Sequence, residues 1–95
     1  MTHYAVVQIV PRDAQALADY RKAALAAVQK HGGERFAGGP GSEVLEDGGG
    51  ATQVVVVAFP SAEAARSWMS DPELTSLHAL RNRGAQSTIV LLPGA

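Results

Sequence analysis

The fold of this 95-residue chain is decided by an apolar run, VVVVAF at residues 54–59, which ends at Pro60. Successive side chains of a strand point to opposite sides of the sheet, so both faces of this strand are apolar. A strand of this kind is covered on both sides. A chain of this length has enough helix to cover only one face, so the run predicts a half-open sheet that needs a partner.

The residues after this run form two predicted helices. Ser61 is a suitable cap for the first helix, which we expect to extend over residues 62–70. A residue before proline avoids the helical conformation, so Asp71 is predicted to end this helix, and Pro72 is suited to the first position of the next. Gly84 is expected to end that second helix.

The rest of the chain supplies three further strands and one long helix. Residues 4–10 and 88–92 are apolar runs typical of strands, and apolar residues spaced three and four apart predict a helix between Asp13 and His31. The segment 34–37 is a short strand candidate. After an interruption by glycines, residues 43–46 alternate between polar and apolar types, which predicts an edge strand.

The predicted order is therefore β-α-β-β-α-β, the ferredoxin-like α+β fold, with a four-stranded antiparallel sheet and helices on one face. In this fold the first and third strands are central, and here they are the two most apolar strands. The face without helices would expose a large apolar patch, which soluble monomers rarely tolerate. We expect a homodimer in which the open sheet faces of two copies pack together.

Composition excludes several classes of function. Eight lysines and arginines against nine acidic residues leave a net charge of −1, so no nucleic-acid or membrane partner is expected. The absence of cysteine excludes disulfides and thiolate metal sites, and no histidines are spaced as metal ligands, so no metal is expected. No signal peptide or membrane span is visible, so we expect a cytoplasmic protein.

Several motifs, taken in order, resemble the DUF1330 family over nearly the whole chain. They are Gly32-Gly33, Gly38-Gly39, the segment 43–46, the apolar strand, and Trp68 followed thirteen residues later by Arg81. The resemblance implies a single domain over residues 1–95, a dimeric α/β barrel, and a cavity between sheet and helices. The wider superfamily includes cofactor-free monooxygenases and small-molecule isomerases, and the family itself has no settled activity.

Three further positions bear on this resemblance. Tyr20 matches a tyrosine in the family's first helix. Leu74 stands where the family usually has tyrosine, and Asp71 stands where it usually has serine. If that tyrosine takes part in binding or reaction, the function of this member is altered at that step.

Two residues of the last predicted helix are candidates for catalysis. His78 is the type of side chain best suited to proton transfer near neutral pH, although its position also fits a partly exposed surface histidine. Arg81 lies beside the apolar stripe of the helix. It is expected either to pair with a carboxylate, Glu46 or Glu73, or to bind an anionic ligand.

Three residues are candidates for ligand binding. Tyr20 and Trp68 fall on the inner faces of their helices, where each is either a core residue or part of a cavity wall with a polar tip. Arg35 is placed to reach a cavity mouth, and it equally fits a solvated charge at a strand edge.

Two functions remain open at this point. One is a cofactor-free enzyme that acts on a small apolar or aromatic metabolite in the helix–sheet cavity, with His78 and Arg81 assisting. The alternative is a non-catalytic small-molecule-binding or regulatory module. RNA recognition by this topology requires exposed aromatic residues on the central strands and a basic surface, and the chain has neither pattern.

Overall fold

The computed structural model describes residues 1–94 and contains the predicted order of elements. The strands are β1 (His3–Pro11), β2 (Glu34–Gly39), β3 (Gln53–Phe59) and β4 (Ala85–Leu92), and the helices are α1 (Ala14–Lys30), α2 (Ala62–Ser70) and α3 (Thr75–Gly84), with a 3₁₀ turn over Pro72–Leu74. All neighbouring strands are antiparallel in the sheet order β2-β3-β1-β4. This confirms the ferredoxin-like α+β fold, with β1 and β3 at the centre.

The second strand differs from the sequence-based expectation. β2 runs without interruption through Gly38 and Gly39, which pair with Val55 and Val54 at φ angles of 95° and 127°. A side chain at Gly38 would approach the Val54 carbonyl oxygen to 2.0 Å, so only glycine allows this close pairing. Because Gly38 and Gly39 already pair with this end of β3, the segment 43–46 does not pair there. The predicted edge strand at 43–46 is wrong, and the segment lies in a loop.

The core lies on one face of the sheet, under the helices. Its strand residues are Ala5, Val7, Ile9, Val57 and Phe59, and its main helical residues are Leu17, Tyr20, Val28 and Trp68. The rings of Phe59 and Trp68 are 5.5 Å apart, which joins the end of β3 to α2. This packing buries the side chains of β1 and β3 that point towards the helices.

The other face of the sheet carries the alternate residues of the same strands. Val6 lies at its centre, opposite Val56 on one side and Val90 on the other. The Phe36 ring, which is 65% exposed, packs 5.2 Å from the ring of Tyr4 on this face. No helix among the described residues covers the valines, so this face is apolar and open.

Three helical segments begin with a side-chain cap, and the cap predicted at Ser61 is confirmed. Asp13 accepts hydrogen bonds from the backbone N–H groups of residues 15 and 16, Ser61 accepts one from Ala64, and Asp71 accepts one from Glu73. Each cap satisfies backbone donors that a helix leaves unpaired at its start. Within residues 1–94, no helix combines the length and the apolarity that crossing a membrane requires.

A cluster of charged residues joins the end of α1 to the start of the 3₁₀ turn. The Asp71 carboxylate lies 2.7 Å from Lys30 Nζ and 2.8 Å from His31 Nε2, and Lys30 also contacts Glu73 at 2.9 Å. The hydrogen bond from Lys30, followed by those from His31 and the Glu73 backbone, holds the pKa of Asp71 well below its usual value. The hydrogen bonds that Lys30 donates to the carboxylates of Asp71 and Glu73 raise the pKa of Lys30. His31 therefore has a structural role at this junction.

The charge of Asp71 predicts a pH dependence of stability. A carboxylate whose pKa is lowered by folding stabilises the fold above its unfolded pKa, and this stabilisation is lost as the pH falls towards the folded pKa. We expect the melting temperature of Asp71→Asn to fall less between about pH 5 and pH 2 than that of the parent protein. Asparagine keeps the helix cap, so the difference isolates the charge.

Glu43→Gln is the control for this measurement, because Glu43 is exposed and pairs with no described cation. Its melting temperature should follow the parent curve across the same pH range. Parallel curves for Asp71→Asn and the parent would show that the cluster does not contribute through charge.

Candidate functional site

A cavity of about 260 Å³ lies between α1 and the inner face of the sheet. Residues of β1 and β3 line it on the sheet side and residues of α1 line it on the helix side, while Trp68 of α2 closes one end. The apolar lining consists of Val7, Ile9, Leu17, Ala24, Leu25, Val28, Val55 and Val57, together with the rings of Tyr20 and Trp68. A space of this kind is suited to a small apolar or aromatic molecule.

Tyr20 and Trp68 bring polar tips to this lining. Both side chains are buried, Trp68 to within 2% of complete burial, yet neither the Tyr20 hydroxyl nor the Trp68 indole N–H bonds to any of residues 1–94. Every fully enclosed side-chain nitrogen or oxygen in this part of the chain does have a partner. The two tips therefore keep some accessible surface.

The mouth of the cavity is formed by Arg21, Arg35 and Gln53, with Gly39 and Pro40 beside them. Arg35 Nη1 donates a hydrogen bond to the Gly38 carbonyl at 3.0 Å, and Arg21 donates one to the Gln53 side-chain oxygen. These contacts hold both guanidinium groups at the same end of the sheet. Sequence analysis missed Arg21 and Gln53, because nothing local to either residue indicates that α1 and β3 meet there.

The lining contains no carboxylate, histidine, lysine or serine among the residues that the structure describes. Tyr20 is the only lining side chain, apart from the two arginines, that carries a titratable proton. Elsewhere in residues 1–94, no group of three or more histidine, aspartate or glutamate side chains is arranged to hold a metal ion. The polar chemistry of the site is thus carried mainly by hydrogen-bond donors.

His78 lies behind the cavity wall. Its Nε2–H donates to the Trp68 carbonyl at 2.9 Å, and its Nδ1 accepts from Arg81 Nη1 at 2.9 Å, which assigns a neutral ring with the proton on Nε2. The ring also meets the Trp68 ring edge-on at 5.4 Å. The expectation of a partly exposed histidine is wrong: the residue is 9% exposed, because both ring nitrogens have partners inside the fold.

Arg81 is also buried, at 2% exposure, and it pairs with no carboxylate among residues 1–94. Its Nε donates to the Ser87 hydroxyl at 3.2 Å, and its guanidinium carbon lies 5.7 Å from the centre of the Tyr20 ring. The predicted pairing with Glu46 or Glu73 is wrong, because Glu73 binds Lys30 and Glu46 lies in the exposed 40–52 loop. The spacing of three between His78 and Arg81 on one helix was the available signal for their contact.

The structure thus brings together three of the five predicted site residues. Tyr20, Arg35 and Trp68 line one cavity. His78 and Arg81 do not line it, but they contact the back of Trp68 and Tyr20 respectively. Ligand binding by the first three residues and catalysis by the other two stay predictions.

The chain belongs to the family described as domain of unknown function (DUF1330), whose model matches residues 2–95. Solved structures with the same fold include a protein of unknown function from Rhodopseudomonas palustris, which is 19% identical to this chain with a TM-score of 0.75. The alignment covers 99% of this chain and 82% of that chain. No curated protein matches the chain.

Two further structures widen the comparison. A dimeric ferredoxin-like protein of unknown function from Jannaschia sp. CCS1 is 14% identical, with a TM-score of 0.72 and coverage of 99% of this chain and 100% of that chain. SnoaB from Streptomyces nogalater, described as a cofactor-independent oxygenase, is 10% identical, with a TM-score of 0.61 and coverage of 99% and 91%. At these identities the likeness shows the fold alone.

The buried contacts of His78 predict that it holds Trp68 in place. His78→Ala would leave the Trp68 carbonyl and an Arg81 N–H without partners in the interior, so we expect the free energy of unfolding to fall by about 1–3 kcal/mol. The emission of Trp68, the only tryptophan, should shift to longer wavelength as its surroundings become wetter. Urea unfolding and fluorescence spectra measure both effects.

His3→Ala is the matched control, because within residues 1–94 the His3 ring makes a single hydrogen bond, to the Met1 carbonyl. It should leave stability and emission unchanged. Identical curves for His78→Ala and the parent would contradict the supporting role.

Proposed function

We propose that the chain forms a homodimer that binds a small apolar or aromatic metabolite in the cavity between α1 and the sheet. The observation that carries the proposal is the composition of the cavity: an aliphatic lining that includes Trp68 and Tyr20, with a mouth formed by Arg21, Arg35 and Gln53. Small-molecule sites are typically apolar concavities with a few placed polar groups. The volume lies just below their usual range of about 300–1,000 Å³, which favours a small ligand.

Binding is better supported than catalysis by protein side chains. General acid–base catalysis requires a titratable group within hydrogen-bond reach of the substrate, and the described lining offers only Tyr20 besides the arginines. His78 has both ring nitrogens engaged away from the cavity. In this proposal His78 and Arg81 are positioning residues, which hold Trp68 and Tyr20 against the ligand.

A cofactor-free enzyme is the second candidate. The backbone likeness to a cofactor-independent oxygenase favours it. An enzyme built on this cavity would act by enclosing an apolar substrate and by stabilising developing negative charge with the donors of Tyr20 and Arg35. Time-resolved mass spectrometry of bound ligand separates the two candidates, since a binding module returns the ligand unchanged.

The homodimer is supported by the open face of the sheet. Val6, Val56 and Val90 lie side by side there, and exposed aliphatic and aromatic groups flank them, which favours a cover of similar apolar shape. A second copy of the same face provides such a cover with two-fold symmetry. A structural neighbour of the same fold is described as dimeric. A cytoplasmic location stays a prediction.

Blocking the cavity tests the binding proposal. The neutral probe 3-phenylpropanamide should change the emission of Trp68 in a saturable way, because this residue lines the cavity. Ala24→Phe places a ring in the cavity and excludes the ring of the probe. We therefore expect the affinity for the probe to fall about tenfold, the equivalent of one lost aromatic contact. Circular dichroism checks that the variant keeps its helices.

Ala26→Phe is the control, since Ala26 is exposed on the same helix and lies outside the lining. It should bind as the parent does. Equal binding by the two variants, or no saturable change in the parent, would refute the cavity as the binding site.

A charge on the open sheet face tests the homodimer. Val56→Asp would bury a carboxylate in the centre of the proposed interface, a cost that neither copy can offset, so we expect a monomer. Light scattering after size-exclusion chromatography should give a mass of two chains for the parent and one for the variant. Lys22→Glu changes an exposed charge on α1 and should remain a dimer. A monomeric parent would exclude the sheet-to-sheet assembly.

A further inference from the structure

We infer that the ligand of the cavity carries an anionic group, in the simplest case a carboxylate, which Arg35 and Arg21 bind at the mouth. The inference rests on the proposed function and specifies its ligand: an apolar or aromatic body inside the cavity, with a negative charge at one end.

The charge balance of the site favours an anionic ligand. Two guanidinium groups belong to the cavity and no carboxylate does, within the part of the chain that the structure describes. The chain as a whole is slightly acidic, at a net charge of −1, so this local excess of positive charge does not reflect a basic protein. A cationic ligand would be repelled at this mouth and an anionic one attracted.

The two arginines are held close to the same pair of strands. Arg35 Nη1 is held at the Gly38 carbonyl, and Gly39 pairs with Val54 on β3. Arg21 is held by Gln53, the residue next to Val54. The two side chains, from α1 and β2, are therefore held at the same end of the neighbouring strands β2 and β3.

Arg21 and Arg35 keep N–H donors that a ligand can use. Arg21 and Arg35 form no ion pair with any carboxylate among residues 1–94, and the one hydrogen bond that each makes goes to a neutral oxygen. A guanidinium has five N–H donors in a planar fork that matches the two oxygens of a carboxylate. The contacts at the mouth thus orient the groups and leave most of their donors free.

Arg81 supplies a third guanidinium near the cavity, on the side of Tyr20 that faces away from it. Arg81 is buried with no carboxylate partner in the described part of the chain, and its guanidinium carbon lies 5.7 Å from the centre of the Tyr20 ring, whose hydroxyl bonds to no described residue. A buried charge is screened less by salt than an exposed one. Arg81 therefore favours negative charge on a ligand that reaches Tyr20, and the hydroxyl is a further donor to it.

Three probes that share one phenylpropyl body test the inference: 3-phenylpropanoate, 3-phenylpropanamide and 3-phenylpropylammonium. Titration against Trp68 emission should show that the carboxylate binds at least about tenfold more tightly than the amide, as expected for a charge-assisted hydrogen bond, and that the ammonium binds most weakly. The advantage of the carboxylate should shrink as ionic strength rises, because the arginines at the mouth are exposed.

The double variant Arg21→Met and Arg35→Met should lower the affinity for the carboxylate much more than the affinity for the amide, so that most of the preference is lost. Arg83→Met is the control, because Arg83 is an exposed arginine of α3 outside the lining, and it should keep the preference. A tenfold preference that persists in the double variant would overturn the assignment to these two arginines.

The remaining outcomes separate this inference from the proposed function. Equal binding of the carboxylate and the amide by the parent protein would overturn the anionic ligand while the cavity stands as an apolar binding site. Failure of all three probes to bind would overturn the cavity as a site for such ligands, and the inference with it.

Discussion

The antiparallel pairing of β1 with β3 is the interaction on which the rest of the structure depends. These two strands are apolar on both faces, and their register sets Val6 against Val56 on one side of the sheet and Ala5 against Val57 on the other. One set of side chains carries the helices and encloses the cavity. The other set is left open, so the proposed binding site and the proposed assembly surface are the two faces of one pair of strands.

The helices differ in how they meet this platform. α1 lies over the sheet without filling the space beneath it, because small residues such as Ala24 stand where larger ones would close the cavity. Trp68 is held on its other side by His78, and Tyr20 by Arg81. The polar residues of α3 thus contribute to the site indirectly, through the aromatic rings that line it. Buried polar groups with all partners satisfied fix such positions well.

Several features could be predicted from the chain because their causes are local. The caps Asp13, Ser61 and Asp71, the break at Pro72 and the apolar strands all follow from interactions within a few residues. The errors concern contacts between distant segments. β2 continues through Gly38 because a residue without a side chain allows the Val54 carbonyl to approach. Arg81 pairs with none of the described carboxylates because α3 turns it towards Tyr20 and Ser87.

The sequence by itself determined the order of elements, the two-faced central strands and the residue types available for a site, since periodicity and capping act over a few residues. It placed Tyr20, Arg35 and Trp68 as ligand-binding candidates one at a time. Only the tertiary structure decided that these three share one cavity, that Arg21 joins Arg35 at its mouth, and that His78 and Arg81 stand behind its wall. The physical reason is that a cavity is made by residues far apart in the chain, whose meeting depends on how whole helices pack on the sheet.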